Sequence, residues 1–175
     1  EPGVDEPLPD LTAPNQNGEE VTLSDLQGTM ALILFNANDW CPFCTEESTN
    51  TEALSHALND FDERYGVSFV ELLYDGADWE GPANQEDATL WAETFELTYP
   101  VLHGEGVTNY IEDNDIGGFP SYWIVDPLGT IRAYESGVGS VTTEVVQEHF
   151  EAFLTDNPEW VRETVEDTDE EEVAD

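Results

Sequence analysis

The sequence contains no lysine and only three arginines, against 41 acidic residues among 175. The formal net charge of −38 excludes proteins that bind nucleic acid or an anionic membrane surface through a basic patch. A partner with a basic face remains compatible with this charge. Two interpretations of the acidity stay open. We favour a hydrated surface adapted to a salty medium, because the acids are spread along the chain, over binding of cations such as calcium.

Long apolar runs are also missing, since no stretch approaches the ~20 residues that cross a membrane. The length of 175 residues and hydrophobic content of 39% predict one domain with a substantial core. Composition predicts a flexible acidic linker over residues 1–7, a folded domain over 8–155 and an acidic tail over 156–175.

The chain begins at Glu1 rather than Met, which we interpret as removal of a leader. This favours an exported protein of the periplasm or cell envelope, either free or made as a membrane-tethered precursor. A cytoplasmic location is the alternative, because cytosolic redox proteins can carry the same pair of cysteines.

Cysteine occurs only twice, as Cys41 and Cys44 in the run Trp-Cys-Pro-Phe-Cys. The apolar run Ala31–Phe35 before it predicts a buried strand, and residues 45–59 after it predict a helix. The free N–H groups and the dipole at the start of a helix favour a thiolate at Cys41. Such a thiolate attacks a disulfide, and a second thiol then resolves the mixed disulfide. We therefore predict Cys41 as the attacking group and Cys44 as the resolving group.

Other interpretations of the cysteine pair are weaker. A purely structural disulfide would close too short a loop to stabilise the fold much. A metal site needs about four ligands, and the histidines are scattered along the chain, at His56, His103 and His149. We therefore expect no metal and no organic cofactor.

The order of predicted elements is strand, helix, strand, helix, hairpin and last helix. It predicts an α/β domain with a mixed sheet and helices on both faces. The main predicted strands are Met30–Phe35, Val67–Tyr74, Ser121–Val125 and Thr130–Glu135, and the last helix is predicted to start at Thr142 or Thr143.

Three landmarks in fixed order resemble the thioredoxin-like fold. They are Trp-Cys-x-x-Cys after a buried strand, Gly118-Phe-Pro120 before a later strand, and Asp126-x-x-Gly129 in the next hairpin. The opening, Leu8–Pro14 and Leu23–Gly28, is similar to the TlpA/ResA-like and redoxin (AhpC/TSA-related) branch. The resemblance covers residues 8–154. It implies a central mixed sheet flanked by helices on both faces with an N-terminal β extension, and a thiol–disulfide oxidoreductase acting on protein thiols and disulfides.

The resemblance also implies that the Phe119–Pro120 bond is cis and that its loop lies against Cys41. The backbone of Phe119 would then be free to pair with an incoming peptide strand. An ordinary trans proline at the start of a strand is the alternative. We expect the substrate-binding residues to be Trp40, Pro42, Phe43, Phe119 and Pro120.

Two features depart from the family pattern. Pro42 follows the first cysteine, whereas in the TlpA/ResA-like branch a proline usually precedes the second. Many thioredoxins carry a buried acid on the strand before the motif, but the aligned residue here is Phe35. None of the nearby polar residues is assigned that role from sequence: Asn36, Asn38, Asp39, Glu46 and Glu47. Negative charge near Cys41 would raise its pKa and oppose the helix dipole, so the direction of electron flow is not predicted.

Two other functions remain as alternatives. A peroxiredoxin-like thiol peroxidase needs the pattern Pro-x-x-x-Thr/Ser-x-x-Cys, but Leu34 and Asn38 occupy the first two positions. The other alternative is a non-enzymatic module that binds cations or a protein partner through its acidic surface. We expect a monomer whose partners are protein thiols or disulfides.

Overall fold

The computed structural model describes residues 1–62, 64 and 66–163. Seven strands form within this part of the chain: β1 Thr12–Pro14, β2 Glu20–Thr22, β3 Met30–Asn36, β4 Val67–Leu73, β5 Val101–Leu102, β6 Ser121–Val125 and β7 Ile131–Ser136. The α-helices are α1 Pro42–Phe61, α2 Gln85–Phe95, α3 Glu105–Asp113 and α4 Thr143–Asp156, with 3₁₀ turns at Leu23–Leu26 and Ala77–Trp79.

The main sheet has the strand order β5-β4-β3-β6-β7. Strands β3, β4 and β5 run parallel, while β6 is antiparallel to β3 and β7 is antiparallel to β6. The carboxyl ends of β3 and β4 therefore meet at one edge, from which the chain enters the cysteine motif. A separate antiparallel pair, β1 with β2, forms the predicted N-terminal β extension.

Strand β3 lies at the centre of the sheet and is buried along its whole length. Because side chains alternate along a strand, Met30, Leu32 and Leu34 pack in one core cluster with α1, α2 and α4. Ala31, Ile33 and Phe35 lie in a second cluster with α3 and the N-terminal hairpin. The α/β fold with helices on both faces of a mixed sheet, predicted from the order of elements, is confirmed.

The first seven residues differ from the linker that composition predicted. The Asp5 N–H donates to the Ile131 carbonyl at 2.8 Å, and the Ile131 N–H donates to the Glu6 carbonyl at 2.9 Å. The buried Trp123 indole N–H donates to the Pro2 carbonyl at 2.9 Å. This segment therefore provides hydrogen-bond partners for backbone groups of β7 and for a buried indole. Because these partners lie more than 100 positions away, the local sequence does not reveal the contacts.

The C-terminal segment is described only in part. Helix α4 is capped by the Thr142 hydroxyl, which accepts from the Val145 N–H at 3.2 Å, as one of the two predicted caps. It ends at Asp156, and Trp160 beyond it packs on Phe150 and Phe153, with ring centroids 5.9 and 5.4 Å apart. The predicted tail thus begins with a segment held to the core, and residues 164–175 lie outside the described part.

Candidate active site

The two cysteines form a disulfide where β3 leads into α1, with Cα atoms 5.2 Å apart. Cys41 is the N-cap of α1, and its Sγ accepts from the Cys44 N–H at 3.3 Å. Pro42 occupies the first helical turn, where a missing N–H does no harm. The first sulfur therefore lies at the amide-rich, positive end of a 20-residue helix, the position that favours a thiolate after reduction.

The two sulfurs differ in accessibility. Cys41 retains 5% of its surface exposed, whereas Cys44 is completely buried. Cys41 is therefore the only one of the two residues with surface open to solvent. The attacking role of Cys41 and the resolving role of Cys44 stay predictions, and they require a difference in this direction.

The loop containing Pro120 lies against the disulfide. The Phe119–Pro120 bond is cis, as the resemblance implied, and the Phe119 carbonyl oxygen lies 3.9 Å from Cys41 Sγ. Phe119 is half-buried while Pro120 is buried. Pro120 therefore shapes the loop, and Phe119 presents its backbone beside the sulfur.

The other expected substrate-binding residues surround the motif on its exposed side. Pro42 is exposed and Phe43 is 60% exposed. The half-buried Trp40 stacks on Trp79, with ring centroids 4.3 Å apart. Its indole N–H donates to Asp75 Oδ2 at 2.5 Å. The fold thus brings together all seven residues that the sequence proposed for the site.

A buried acid lies behind the motif on β4 rather than β3. Glu71 is fully buried and accepts from the Trp91 indole N–H at 2.6 Å and from the Tyr99 hydroxyl at 2.8 Å. Burial raises the pKa of Glu71 to about 7, although these hydrogen bonds act in the opposite direction. This carboxyl therefore changes charge near neutral pH.

Asn36 connects Glu71 to the helix that carries the cysteines. Its side-chain amide donates to Glu71 Oε2 at 3.2 Å and to the Ser48 hydroxyl at 3.0 Å. Ser48 is one helical turn beyond Cys44. The Asn36 Oδ1 atom is buried without a hydrogen-bond partner among the described residues.

Of the other polar residues near the motif, some are buried and hydrogen-bonded within the protein, and the others are exposed to solvent. Glu47 is buried and accepts from the Tyr122 hydroxyl at 2.5 Å and from the Gly139 N–H at 2.9 Å. The Asn38 N–H donates to Asp75 Oδ1 at 3.0 Å. Asp39 and Glu46 are exposed. Glu47 therefore ties α1 to β6 and to the loop before α4, on the face of the sheet that α1 covers.

Sequence reasoning missed Glu71, Asp75 and Trp79. Glu71 carried one usable signal, because it is the only charged residue of β4, a strand that is otherwise apolar except for Ser68. Asp75 and Trp79 belong to a glycine-containing loop 35 or more positions from Trp40, and no local pattern connects them to the motif. Within the described residues, no group of three or more acidic, histidine or cysteine side chains is arranged to hold a metal ion.

Chemically, the site pairs a cysteine at a helix N-terminus that keeps a little exposed surface with a fully buried cysteine one turn away. It also offers a carbonyl group beside the first sulfur. This arrangement supports thiol–disulfide exchange. No helix in the described part of the chain combines the length and apolarity that a membrane crossing requires.

Solved structures show the same fold at low sequence identity. The thioredoxin domain of a thiol-disulfide oxidoreductase from Bacteroides vulgatus is 24% identical, with a TM-score of 0.65 over 83% of this chain and 96% of that one. A secreted Mycobacterium tuberculosis disulfide oxidoreductase is 18% identical, with a TM-score of 0.60 over 81% and 95%. StoA from Bacillus subtilis is 19% identical, with a TM-score of 0.59 over 85% and 98%.

These likenesses establish the thioredoxin-like fold. No curated protein sequence matches the chain. The AhpC/TSA family, in contrast, matches residues 4–134, a range that includes the β1–β2 pair, the cysteine motif and the Phe119–Pro120 loop. Because the match spans well over half of its length, the chain belongs to the AhpC/TSA family.

Proposed function

We propose that this protein exchanges electrons with disulfides or dithiols of other proteins through the Cys41–Cys44 pair. The observation that carries the proposal is the placement of Cys41. Its sulfur caps α1 and lies 3.9 Å from the Phe119 carbonyl, and Cys41 is the only one of the two cysteine residues with any exposed surface. A structural disulfide would require none of these three features.

In the reducing direction, the Cys41 thiolate attacks one sulfur of a substrate disulfide. A mixed disulfide forms and the substrate's other sulfur leaves as a thiolate. Cys44 then loses its proton and attacks Cys41 Sγ, which releases the second substrate thiolate and forms the Cys41–Cys44 disulfide. Two electrons pass to the substrate, and the reverse sequence oxidises a dithiol.

The residues around the sulfur have distinct roles in this proposal. The Phe119 backbone pairs with an extended substrate segment, and Pro120 fixes the loop that presents it. Pro42 and Phe43 provide exposed apolar surface at the start of α1, while Trp40 shields the disulfide on one side. The half-buried position of Phe119 and the exposure of Phe43 support these assignments.

The setting proposed from the sequence is extracytoplasmic, with a monomer acting on protein partners. The net charge of −38 supports the monomer, because two copies repel each other, and disfavours nucleic acid or anionic lipid as a partner. A peroxidase remains the alternative activity, since the AhpC/TSA family matches most of the chain. Leu34 and Asn38 in place of the peroxidase pattern count against it.

Replacement of the attacking sulfur tests the proposal. Cys41→Ser should reduce or oxidise a model protein disulfide only at the uncatalysed rate, because no other thiol in the chain reaches solvent. Cys44→Ser should instead accumulate a mixed disulfide with the substrate, detectable by mass spectrometry, since the resolving step is lost. A Cys41→Ser protein that exchanged disulfides at the wild-type rate would refute the proposal.

Two further measurements define the activity. Peroxide consumption with a thiol donor, at a rate above that of disulfide exchange, would favour the peroxidase. The equilibrium potential of the 41–44 pair in a glutathione or dithiothreitol buffer assigns the direction. A value of roughly −270 mV indicates a reductant and one of roughly −120 mV an oxidant.

A further inference from the structure

An open cleft of about 430 Å³ lies directly beside the cysteine motif. Three aromatic rings line it, those of Trp40, Tyr74 and Trp79, together with the carboxylates of Asp75 and Glu112. Aromatic faces with acidic groups at one opening form a surface that attracts cations. We call this surface the aromatic cleft.

Trp79 is held in the cleft by an unusual backbone conformation. Its φ is 67°, and the preceding Asp78 has a φ of 59°, a left-handed region that bulky residues rarely adopt. The result is a tryptophan stacked on Trp40 at an interplanar angle of 29° while 68% of its surface stays exposed. An exposed ring contributes little to the core, so folding alone does not explain this conformation.

The aromatic cleft is connected to the reactive sulfur on two sides. Trp40 immediately precedes Cys41 in the chain. Tyr74 packs on Phe119 with ring centroids 5.1 Å apart, and the Phe119 carbonyl lies 3.9 Å from Cys41 Sγ. A polypeptide paired with the Phe119 backbone would therefore place neighbouring side chains at the opening of the cleft.

Both carboxylates of the cleft are bound only by neutral donors. Asp75 accepts from the Trp40 indole N–H and from the Asn38 N–H. Glu112 accepts from the Tyr74 hydroxyl at 2.7 Å, a contact that raises the pKa of Tyr74. Asp75 is buried with both carboxylate oxygens bound, whereas Glu112 is exposed. Since no positively charged group lies against either carboxylate among the described residues, their negative charge is left unneutralised at the cleft.

The three arginines all lie near the opposite edge of the sheet, where β3 and β4 begin. Arg64 binds Asp62 and Glu151, and Arg132 binds Asp126 and Asp156. Arg162 lies against Gly66, just before β4. The chain therefore offers the aromatic cleft no cation of its own.

We propose that the aromatic cleft binds an arginine or lysine side chain of the polypeptide whose cysteine reacts with Cys41. The cation would lie on the open face of Trp79, with Asp75 and Glu112 as counter-charges. This inference rests on the proposed function and specifies its substrate as a protein with a basic residue near its reactive cysteine. A second copy of this chain is a poor occupant, because both copies carry the same charge of −38.

Three matched peptides test the proposal in exchange assays. Each carries one cysteine as a mixed disulfide with thionitrobenzoate, flanked by arginine, glutamine or glutamate. The protein is first reduced and freed of reductant, so that its dithiol supplies the two electrons, and release of the yellow thiolate gives the second-order rate constant of a single turnover. The wild-type protein should prefer the arginine peptide over the glutamine peptide by about tenfold, the scale of a partly desolvated cation–π contact. Trp79→Ala should reduce this ratio of the two rates to about twofold or less.

Trp79→Ala alters no charge, so it separates the cleft from the general attraction of an acidic protein for a basic peptide. Glu112→Gln should also weaken the preference. Glu148→Gln, at an exposed position of α4, removes the same charge away from the cleft and should leave the preference intact. Equal rates for the arginine and glutamine peptides in the wild type, or a preference that survives Trp79→Ala, would overturn the cleft while leaving disulfide exchange in place.

Calorimetry with an arginine peptide that lacks cysteine tests the cleft when no exchange is seen. Absence of exchange with every peptide would refute the proposed function, whereas binding that Trp79→Ala abolishes would still support the cleft. N-acetylarginine amide that binds as tightly as the peptide would overturn the polypeptide occupant in favour of a small organic cation. If the protein self-associates and Trp79→Ala abolishes this, the aromatic cleft binds a second copy of the chain and the proposed occupant is wrong.

Discussion

The two edges of the central sheet differ in how they treat acidic residues. Where β3 and β4 begin, arginines neutralise the acids: Arg132 donates to the buried Asp126 at 2.8 Å, and Arg64 bridges Asp62 and Glu151. Where β3 and β4 end, Asp75 and Glu112 are bound by neutral groups only. With only three cations in the chain, their placement at a single edge is informative.

The two edges differ in the interactions that hold them and in the reactive groups that they carry. The edge with the arginines is tied together by ion pairs and by the Asp126 turn, in which Asp126 also accepts from the Leu128 and Thr130 N–H groups. The edge with the cysteines keeps its negative charge, a strained exposed tryptophan and a buried acid that titrates near neutral pH. Loss of an arginine at the first edge should therefore lower stability without changing exchange, whereas stability at the second edge should depend on pH through Glu71.

The largest effect is expected from Glu71→Gln, through the pH dependence of stability. Between pH 4.5 and about pH 7 the folded protein keeps the Glu71 proton while the unfolded chain has lost it. The unfolded state therefore gains free energy from ionisation as pH rises, and the stabilisation from Glu71 is complete only below pH 4.5. Its contribution is lost as pH rises through 7 and amounts to roughly 3 kcal/mol. Glutamine mimics the protonated acid and removes the slope.

Urea unfolding of both proteins between pH 4.5 and 8 measures this effect. The variant should gain stability relative to the wild type as pH rises across the window. Glu148→Gln provides the control, because its carboxyl is exposed and it should parallel the wild type. Parallel curves for Glu71→Gln and wild type would contradict a buried acid that titrates near pH 7.

Arg132→Gln should have the next largest effect. Asp126 is only 2% exposed as a side chain, and loss of its arginine leaves a buried carboxylate without a counter-charge. Because two backbone N–H groups still bind Asp126, the expected loss is about 2 kcal/mol, below the 3–5 kcal/mol of a fully broken buried pair. Urea unfolding measures the loss, and the rate of disulfide exchange should not change. A tenfold fall in that rate would show that the two edges are coupled.

The smallest effect is expected from Arg64→Gln. Half of the Arg64 side chain is exposed, as is half of Glu151, and exposed ion pairs contribute about 0–1 kcal/mol. Hydrogen bonds from Arg64 lower the pKa of Asp62 to about 2, so this pair should lose its contribution only as pH falls below about 4. If Arg64→Gln lowered the free energy of unfolding at pH 7 as much as Arg132→Gln, burial would not explain a difference between the two ion pairs.

Local sequence patterns predicted much of the scaffold because the forces behind them are local. The apolar run ending at Phe35 gave a buried strand, and the turn formed by Asp126 and Gly129 gave a hairpin. The predicted helix after the cysteines was correct, but α1 extends from Pro42 to Phe61, longer at both ends. The first turn includes the cysteine motif itself, with Cys41 as N-cap and Pro42 as the first helical residue.

The position of the buried acid shows where sequence patterns fail. The family comparison directed attention to Phe35 on β3, whereas the fold places Glu71 on the adjacent β4, paired in register with Leu34. A strand position tells which face a side chain occupies but not which side chains on other elements it meets. The partners of Glu71 come from three separate parts of the chain: Asn36, Trp91 and Tyr99.

The sequence by itself determined the cysteine pair, the strand–helix junction that holds it, the overall acidity and the order of elements, because each depends on composition or on neighbours within a few residues. Only the tertiary structure decided that Trp79 stacks on Trp40, that residues 1–7 pair with β7 and that the arginines all lie at one edge. These contacts join residues far apart in the chain. They form because burial and hydrogen-bond satisfaction are properties of the packed molecule and not of any single segment.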